Sequence, residues 1–449
     1  MNYTSVVCAL FWLVCAGQLT AQEAKPAEPR HITLDEAVQL AMKHNHVVRL
    51  AGYSVAEKEH KKDIARSAYY PLLHNDSMIA QLTDTQFVGI PEGSLGTVSG
   101  TPIPERSVTL NQGALTIVTS GTQLTQPLTD LWKVKSANDV AKAEVNETRS
   151  SARQTENEVA LKVHQLYYQV LILQSHKEAA LAKIQAIDAL AAERVQQVKF
   201  GSSLEEQAIE TRAESLQSKQ DLLTTDLQLN DFTMQLNDAI GLPLTTPLAL
   251  DPAVRQVENT SNREECIRVA MESHPEIAEA RAKVEEASAA VRFAKRQYIP
   301  DVEAFARYSY QDNVPFLVHN FGTFGVHLGY DLFDGGKRNA EIEEHKAQLA
   351  KAEENLSRVK EEVELRVQTA YNKLERTRQM MQVSQELLSV RTESHRVTLQ
   401  QLQEGAALRS QLDSAAAHEL EAKTLLLQSQ LQYVQANDEM EEAMGQRPK

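Results

Sequence analysis

Hydrophobic and polar positions follow a helical period and then a strand period, twice in the same order. Each copy opens with an amphipathic segment, Asp35 to Tyr70 and Glu264 to Ile299, which predicts one helix ended by Pro71 or Pro300. A stretch with period two follows and predicts two strands. A much longer segment without Gly or Pro then predicts a long helix. Each copy is therefore expected to fold as helix, strand, strand, long helix and shorter helix.

The strand pattern is clearest in the second copy. Apolar side chains alternate with other side chains from Val302 to Tyr310 and from Phe324 to Leu332. The corresponding strands of the first copy, around Ser77 to Phe87 and Thr109 to Gln123, are more polar. We therefore expect four strands in the chain.

Glycine ends both long helices, at Gly201 and Gly405. The long helices are predicted at Leu131 to Phe200 and Lys337 to Glu404, and the closing helices at Leu204 to Ile240 and Leu408 to Met444. The first long helix would span ~105 Å at ~1.5 Å per residue. An opening and a closing helix together nearly equal this length, so both are predicted to lie end to end beside the long helix.

The two copies are an internal duplication that matches in two registers. The opening segments match in the register that places Pro71 on Pro300. The segments after the first strand match in a second register, which places Tyr167 on Tyr371 and Gly201 on Gly405. The registers differ because the first copy has an insertion between Pro71 and Leu124. This insertion is a Gly- and Pro-rich stretch, which predicts a loop.

These repeats divide the chain into residues 22–250 and 251–449, after a predicted signal peptide at residues 1–21. The apolar run from Val6 to Ala16 is too short to span a membrane, and it predicts cleavage after Ala21. Cys8 and Cys15 lie in this segment, so the mature chain keeps Cys266 alone. Cys266 follows the apolar positions of its helix and is predicted to lie in the core.

Composition and charge exclude several functions. The chain has 46 Lys and Arg against 61 Asp and Glu, a net charge of −15, which disfavours binding to nucleic acid. The sequence has no Gly-rich phosphate loop, no nucleophile elbow and no CxxC pair, so neither an enzyme nor a cofactor is expected. His44 and His46 point about 200° apart on a helix, which argues against a metal site.

The number of predicted strands limits how the chain can enter a membrane. Four strands cannot close a barrel, and an open sheet edge in lipid leaves unpaired backbone groups that cost several kcal/mol each. If these strands enter a membrane, the chain must oligomerise. The alternatives to an oligomer with strands in a membrane are a periplasmic adaptor and a structural coiled-coil protein, both of which work by protein contact. An adaptor would need a compact β-rich domain beside one helical hairpin, and the duplication leaves no such insert.

Short motifs in the same order in both copies carry a family resemblance. They are LFDGGKR at 332–338, its counterpart QPLTD at 126–130, the opening LDEA at 34–37, and the turns at Gly201 and Gly405. Together they resemble the TolC-type outer membrane efflux protein family over essentially the whole mature chain.

The resemblance implies a mainly α-helical fold with a β part in the membrane. It implies a homotrimer whose twelve strands form one β-barrel in the outer membrane of a Gram-negative bacterium, continuous with an α-helical coiled-coil barrel in the periplasm. Such channels are passive export ducts of tripartite efflux or type I secretion systems. They sit in outer membrane lipid and dock to a periplasmic adaptor, or membrane fusion protein, and an inner-membrane transporter. The exported substrate does not follow from the sequence.

The resemblance also places the periplasmic tip at the glycine turns. The residues expected to contact the adaptor are Gly201, Ser202, Leu204, Gly405, Ala406 and Leu408. The family's acidic ring positions carry Gln411 and Ser414 here, and its latch positions carry Leu402 and Ala407. The nearest carboxylates, which are candidates for a pore constriction, are Glu205, Glu206, Glu404 and Asp413. An alternative is that the glycines only reverse the hairpins and the carboxylates only solvate the helices.

Aromatic residues near the strand ends suggest a membrane-interface girdle, although ordinary packing is an alternative. They are Tyr298, Tyr310, Phe321, Tyr330 and Phe333.

Overall fold

The computed structural model describes residues 29–84, 87–111, 115–200, 205–252, 255, 262–314 and 318–448. Over these residues the helices are α1 Leu34–His44, α2 His46–Ser67, α3 Asp130–Lys199, α4 Glu205–Ala239, α5 Arg263–Ser273, α6 Pro275–Arg296, α7 Lys337–Gln403 and α8 Arg409–Ala443. The strands are β1 Arg30–Ile32, β2 Leu72–Gln81, β3 Phe87–Ile90, β4 Thr97–Val98, β5 Thr101–Pro102, β6 Val108–Asn111, β7 Thr116–Pro127, β8 Leu248–Leu250, β9 Asp301–Asp312 and β10 Asn320–Gly329. The predicted signal peptide and its cleavage site lie outside the described residues.

The described part of the chain is mainly helical, at 69%. The helices repeat in the two registers read from the sequence. Helices α5 and α6 begin and end at the equivalents of the ends of α1 and α2, in the register of Pro71 with Pro300. Helix α8 matches α4 at both ends in the register of Gly201 with Gly405. The long helices α3 and α7 end within one residue of their predicted ends, because a glycine follows each of them in the sequence.

The opening helix of each copy is broken in two, so the prediction of one continuous helix was wrong. Asn45 and His274 adopt extended backbone angles, with ψ of 130° at both. The Asn45 side chain accepts the backbone N–H of Val47 at 2.9 Å, and the His274 ring accepts that of Glu276 at 3.2 Å. Each side chain thus caps a second helix. Pro275 disfavours a helical conformation at His274.

Four of the strands form one antiparallel sheet in the order β10, β9, β7, β2. Strands β7 and β9 come from different repeats and join the two hairpins. The insertion in the first copy is not only a loop as predicted, because β3 pairs with β6 and β4 with β5 between β2 and β7. A separate parallel pair, β1 with β8, lies against the helices.

The helices pack side by side as the length comparison predicted. One side of α3 packs against α1, α2 and α4, and the other side packs against α6 and α8. Helix α7 packs against α5, α6 and α8 and lies at one edge. No helix in the described part of the chain is long and apolar enough to cross a membrane.

Two hydrophobic clusters hold the helices together, one formed mainly by the first repeat with Leu431 and Val434 of α8, and one within the second repeat. The first includes Val163, Tyr167 and Leu236, and the second includes Cys266 and Val367. Cys266 is buried, as predicted. The Tyr167 hydroxyl lies 3.1 Å from the carbonyl oxygens of Ile32 and Asp251, which ties the β1–β8 pair to α3. Burial raises the pKa of Tyr167 to about 12.

Candidate channel wall and helical tip

The four-stranded sheet has two chemically different faces. Residues paired across antiparallel strands lie on the same face, so Phe324, Ala306, Leu124 and Leu73 form one row. Neighbouring residues along the strands point to the other face. The first face, here called the apolar face, includes Leu73, Ile79, Leu124, Ala304, Ala306, Phe324, Val326 and Leu328. The opposite face, here called the polar face, includes His74, Asp76, Gln123, Glu303, Arg307, Thr323 and His327, together with the apolar Leu72, Met78, Phe305 and Phe321.

The apolar face also carries a few polar side chains, which bond to one another across β2 and β7. The Asn75 amide donates to the Thr122 hydroxyl at 2.8 Å, and the hydroxyls of Ser77 and Ser120 lie 2.8 Å apart. These contacts reduce the cost of placing the groups in an apolar environment. The first hairpin is thus more polar than the second in structure as well as in sequence.

On the polar face, Gly121 leaves room for the guanidinium group of Arg307. A Cβ atom at Gly121 would lie 2.6 Å from Nη2 of Arg307, so any other residue there would displace the guanidinium. The Arg307 side chain therefore lies over β7 on the polar face. A sheet with one apolar and one polar face suits a boundary between lipid and a water-filled lumen.

The five aromatic residues proposed as a girdle are exposed at both ends of the β9–β10 hairpin. Tyr310 and Phe321 lie near the loop end, and Tyr298, Tyr330 and Phe333 lie near the helical end. The Arg338 guanidinium sits between two of them, 5.2 Å from the Tyr298 ring centre and 5.0 Å from that of Tyr330. Cation–π contacts of this kind hold the rings in place at the junction of sheet and helix.

A groove of about 330 Å³ runs between α3, α4 and α8. Five of its lining residues are glutamines: Gln169, Gln228, Gln428, Gln432 and Gln435. Gln169 and Tyr167 point about 200° apart on α3, so the groove lies opposite the β1–β8 pair. Sequence reasoning missed this surface. The spacing of the glutamines on α8 was visible, but glutamine is common on any helix surface.

A second pocket, of about 380 Å³, lies between α3, α6, α7 and α8. Arg366 binds both carboxylate oxygens of Glu276 there, at 2.8 and 3.2 Å. Burial raises the pKa of the neighbouring Glu442 carboxyl, although Gln154 donates a hydrogen bond to it at 3.0 Å. The pocket is thus lined by charged and polar side chains, several of which pair with one another.

A buried ionic cluster joins α3 to α8 near the middle of the bundle. The Asp438 carboxylate contacts Nδ1 of His164 at 2.7 Å, accepts the Tyr168 hydroxyl at 3.2 Å and lies 3.3 Å from the Arg255 guanidinium. His164 and Asp438 are both buried. Sequence reasoning missed this cluster, because its members are separated by up to 274 residues.

Gly405 reverses the α7–α8 hairpin in the left-handed conformation, with φ of +74°. The Ala406 N–H donates to the Gln401 carbonyl at 2.8 Å, and the Leu408 N–H donates to the Gln411 side chain at 2.9 Å. These bonds satisfy backbone groups at the two helix ends. Of the proposed adaptor contacts, Gly405, Ala406 and Leu408 lie in this turn. The others, Gly201, Ser202 and Leu204, lie outside the described residues.

The four candidate constriction carboxylates lie at one end of the protomer. Helices α3 and α8 run antiparallel, as contacts from Ser175 to Thr424 and from Lys183 to Glu421 show, so both hairpin turns point the same way. Glu205, Glu206 and Glu404 are exposed there. Asp413 is half-buried and pairs with Arg409 at 3.0 Å, which partly neutralises it.

No three His, Cys, Asp or Glu side chains of the described residues come together as a metal site would need. His44, one of the histidines weighed for such a site, instead packs against the turn at Gly241.

Comparison with known proteins agrees with this architecture. Residues 266–446 match the outer membrane efflux protein family. No curated protein matches the chain significantly.

Three solved structures share the fold. The outer membrane protein VceC of Vibrio cholerae is 14% identical, with a TM-score of 0.70 over 93% of this chain and 97% of that one. The CmeC outer membrane channel of Campylobacter jejuni is 13% identical, with a TM-score of 0.72 over 92% and 85%. The open MtrE outer membrane channel of Neisseria gonorrhoeae is 14% identical, with a TM-score of 0.69 over 94% and 90%. The second repeat thus matches the outer membrane efflux protein family, and the chain shares the fold of these three outer membrane proteins.

Proposed function

We propose that the protein is the outer membrane channel of a tripartite export system, active as a homotrimer. One observation carries the proposal. The sheet has an apolar and a polar face, and in the described residues its edge strands β2 and β10 each pair on one side only. Such a sheet is stable in lipid only if its edges meet those of other copies and close a barrel. The export role follows from the family.

The helical part supports the same assembly. Apolar side chains are exposed along α7 and α4, at opposite edges of the protomer, including Val383, Val390, Leu216 and Leu223. Exposed apolar stripes at helical spacing are typical of helices that pack against a partner. A ring of copies would cover both stripes and continue the strand barrel as a helical barrel into the periplasm.

The channel would be passive and without bond chemistry. The polar sheet face and the glutamine-lined groove would line the duct. The turns at residues 201–204 and 405–408 would form the periplasmic end, where an adaptor and an inner-membrane transporter dock. The alternative of a soluble adaptor or coiled-coil rod leaves the apolar sheet face and both sheet edges without a role.

The first test is the location and assembly of the mature protein. Membrane fractionation with chemical crosslinking should place it in the outer membrane as a heat-sensitive trimer. A soluble periplasmic monomer would overturn the proposal.

The second test concerns the candidate constriction. Carboxylates crowded in a narrow passage concentrate cations and repel anions, so we expect a small, cation-selective conductance in planar bilayers, inhibited by divalent cations from the periplasmic side. Replacing Asp413 by Asn and Glu404 by Gln together should weaken both properties. Asp231→Asn with Glu364→Gln removes the same charge away from the tip and is the matched control. Unchanged selectivity in the first pair would show that these carboxylates only solvate the helices.

A further inference from the structure

The pocket between α3, α6, α7 and α8, here called the charged pocket, lies on the same side of the protomer as the glutamine-lined groove. Their lining residues on α3 recur at steps of three or four, which places them on one helix face: Gln154, Glu158, Leu161, Gln165, Gln169, Ile172 and His176. On α8, Glu442 continues the row of Gln428, Gln432 and Gln435 in the same way. The position of the charged pocket in a duct rests on the proposed function, whereas its capacity to bind a ligand does not.

Two carboxylates of the charged pocket meet at a single amide group. Nε2 of Gln154 donates to Oε1 of Glu158 at 3.0 Å and to Oε1 of Glu442 at 3.0 Å. Because both bonds begin at the same nitrogen, the two carboxylate oxygens are at most about 6 Å apart. Charge-assisted N–H bonds to carboxylates are about 2.7–2.9 Å long. One ammonium nitrogen can therefore donate to both oxygens.

No basic side chain of the described residues forms an ion pair with Glu158 or Glu442. Arg366 lines the charged pocket, but Glu276 binds two of its nitrogens, at 2.8 and 3.2 Å. Lys162 also lines it and forms no ion pair in the part of the chain that the structure describes. With Glu442 ionised, the lining has three carboxylates against these two cations, so it carries an excess negative charge.

Burial makes this excess charge costly. It raises the pKa of the Glu442 carboxyl, and the charges of Glu276 and Glu158 act in the same direction. A partly buried carboxylate gains more from a bound cation than an exposed one, because less water stabilises its charge. Gln154 also lines the charged pocket and is only 8% exposed, and its Oε1 has no hydrogen-bond partner among the described residues. The site therefore has one acceptor more than its own donors satisfy.

This chemistry favours a primary ammonium over other cations. Two carboxylates and one amide oxygen match its three N–H donors. Calcium takes about 6–8 oxygen ligands and magnesium a full octahedron, more than these three groups supply. A quaternary ammonium has no N–H to donate, and the lining has no aromatic ring for a cation–π contact. The volume of about 380 Å³ leaves room for an aliphatic chain beside Leu161.

We infer that the charged pocket is a binding site for ligands that carry a primary ammonium group. The ammonium donates to Glu158 and Glu442, and Gln154 turns its free oxygen to the third N–H. The aliphatic part of the ligand lies along Leu161. Lys162 opposes binding by repulsion and so disfavours ligands of low positive charge. In the proposed channel, each copy would hold one such ligand on its way through the duct.

Isothermal titration calorimetry of the full-length protein in detergent tests the recognition, with 1,5-diaminopentane as the probe. Two reference compounds separate its features: 1,5-pentanediol has the same length without charge, and tetramethylammonium has charge without an N–H. Both should bind at least about 10-fold more weakly than the diamine, because each lacks the charge-assisted hydrogen bonds. Binding of the diamine should also release protons, because it favours the ionised form of Glu442; the heat should therefore differ between buffers of different ionisation enthalpy. Equal affinity for tetramethylammonium would overturn the inference.

Substitutions of opposite sign test the residues. Glu158→Gln and Glu442→Gln should each weaken diamine binding about 10-fold or more, whereas Lys162→Gln should strengthen it. Glu364→Gln is the matched control, because Glu364 accepts the Gln368 amide at 3.1 Å within one helix, as Glu158 accepts that of Gln154, but does not line the charged pocket. Unchanged affinity in both pocket variants would overturn the assignment.

The outcome for the charged pocket and that for the proposed function can be told apart. A trimer in the outer membrane that binds no diamine would overturn the ammonium site and leave the proposed function standing. A soluble monomer that binds the diamine and loses it in Glu442→Gln would overturn the proposed function and support the site.

Discussion

The Asp438 carboxylate is a buried group that joins α8 to α3. It is fully buried and has three partners: His164 at 2.7 Å, Tyr168 at 3.2 Å and Arg255 at 3.3 Å. Asp438→Ala would leave the buried His164 and Tyr168 without their carboxylate partner, whereas Arg255 would keep its contact with Glu441 at 3.2 Å. Breaking a buried ion pair by removing one partner costs about 3–5 kcal/mol in free energy of unfolding.

The cost of removing the buried Asp438 carboxylate can be distinguished from the cost of removing an exposed carboxylate. Asp226 on α4 pairs with Lys177 at 2.7 Å, but both side chains are exposed. Asp226→Asn should therefore cost no more than about 1 kcal/mol. A double-mutant cycle of His164→Ala with Asp438→Ala should give a coupling energy within the range of about 0.5–3 kcal/mol seen for contacting residues.

The assay is denaturation of the purified protein in guanidinium chloride, followed by far-UV circular dichroism. Asp438→Ala should shift the midpoint of the helical transition to clearly lower denaturant, and Asp226→Asn should leave it almost unchanged. Equal shifts for the two variants would refute the reasoning. So would additive effects of the two alanine changes, because they would show that His164 and Asp438 do not depend on each other.

Three further predictions concern separate regions. At a pH above the raised pKa of Glu442, Glu442→Gln should increase the free energy of unfolding, because it removes a buried charge. In acid the wild-type carboxyl is protonated, so the two proteins should be about equally stable. Unfolding measured at several pH values checks this. Gly405→Ala should lower the free energy of unfolding by about 1 kcal/mol, because alanine is strained at positive φ. Gly52→Ala should raise it, because Gly52 lies inside α2 and has open space where the Cβ would be. Thermal unfolding midpoints check both predictions. Protease added to intact cells should cut between about Thr83 and Arg106 if the insertion lies outside the cell; cleavage only after the outer membrane is broken would reverse the orientation.

The sequence alone determined the ends of the long and closing helices, the duplication and the position of the insertion. These features are local. Glycine at Gly405 ends a helix wherever the rest of the chain lies, and a period of two over Val302 to Tyr310 predicts a strand whichever strand pairs with it. The family resemblance likewise depended on short motifs in a fixed order, and the match of residues 266–446 to the family agrees with it.

The break at Asn45 lay within reach of the sequence but was missed, because the apolar pattern continues through it. Asparagine there stops one helix and caps the next. Its amide also donates to the Ala239 carbonyl at 3.0 Å, a contact across 194 residues. Local propensity and tertiary contact thus act together at this position, and periodicity alone does not separate one long helix from two.

Only the tertiary structure decided which surfaces meet. The pairing of β7 with β9, the contact of His164 with Asp438 and the glutamine-lined groove each join segments far apart in the chain. Leu227 and Leu431 are both leucines at equivalent positions of the duplication, yet Leu227 is exposed and Leu431 is buried. Burial depends on what packs against a side chain, and that depends on the neighbouring elements rather than on the residue itself.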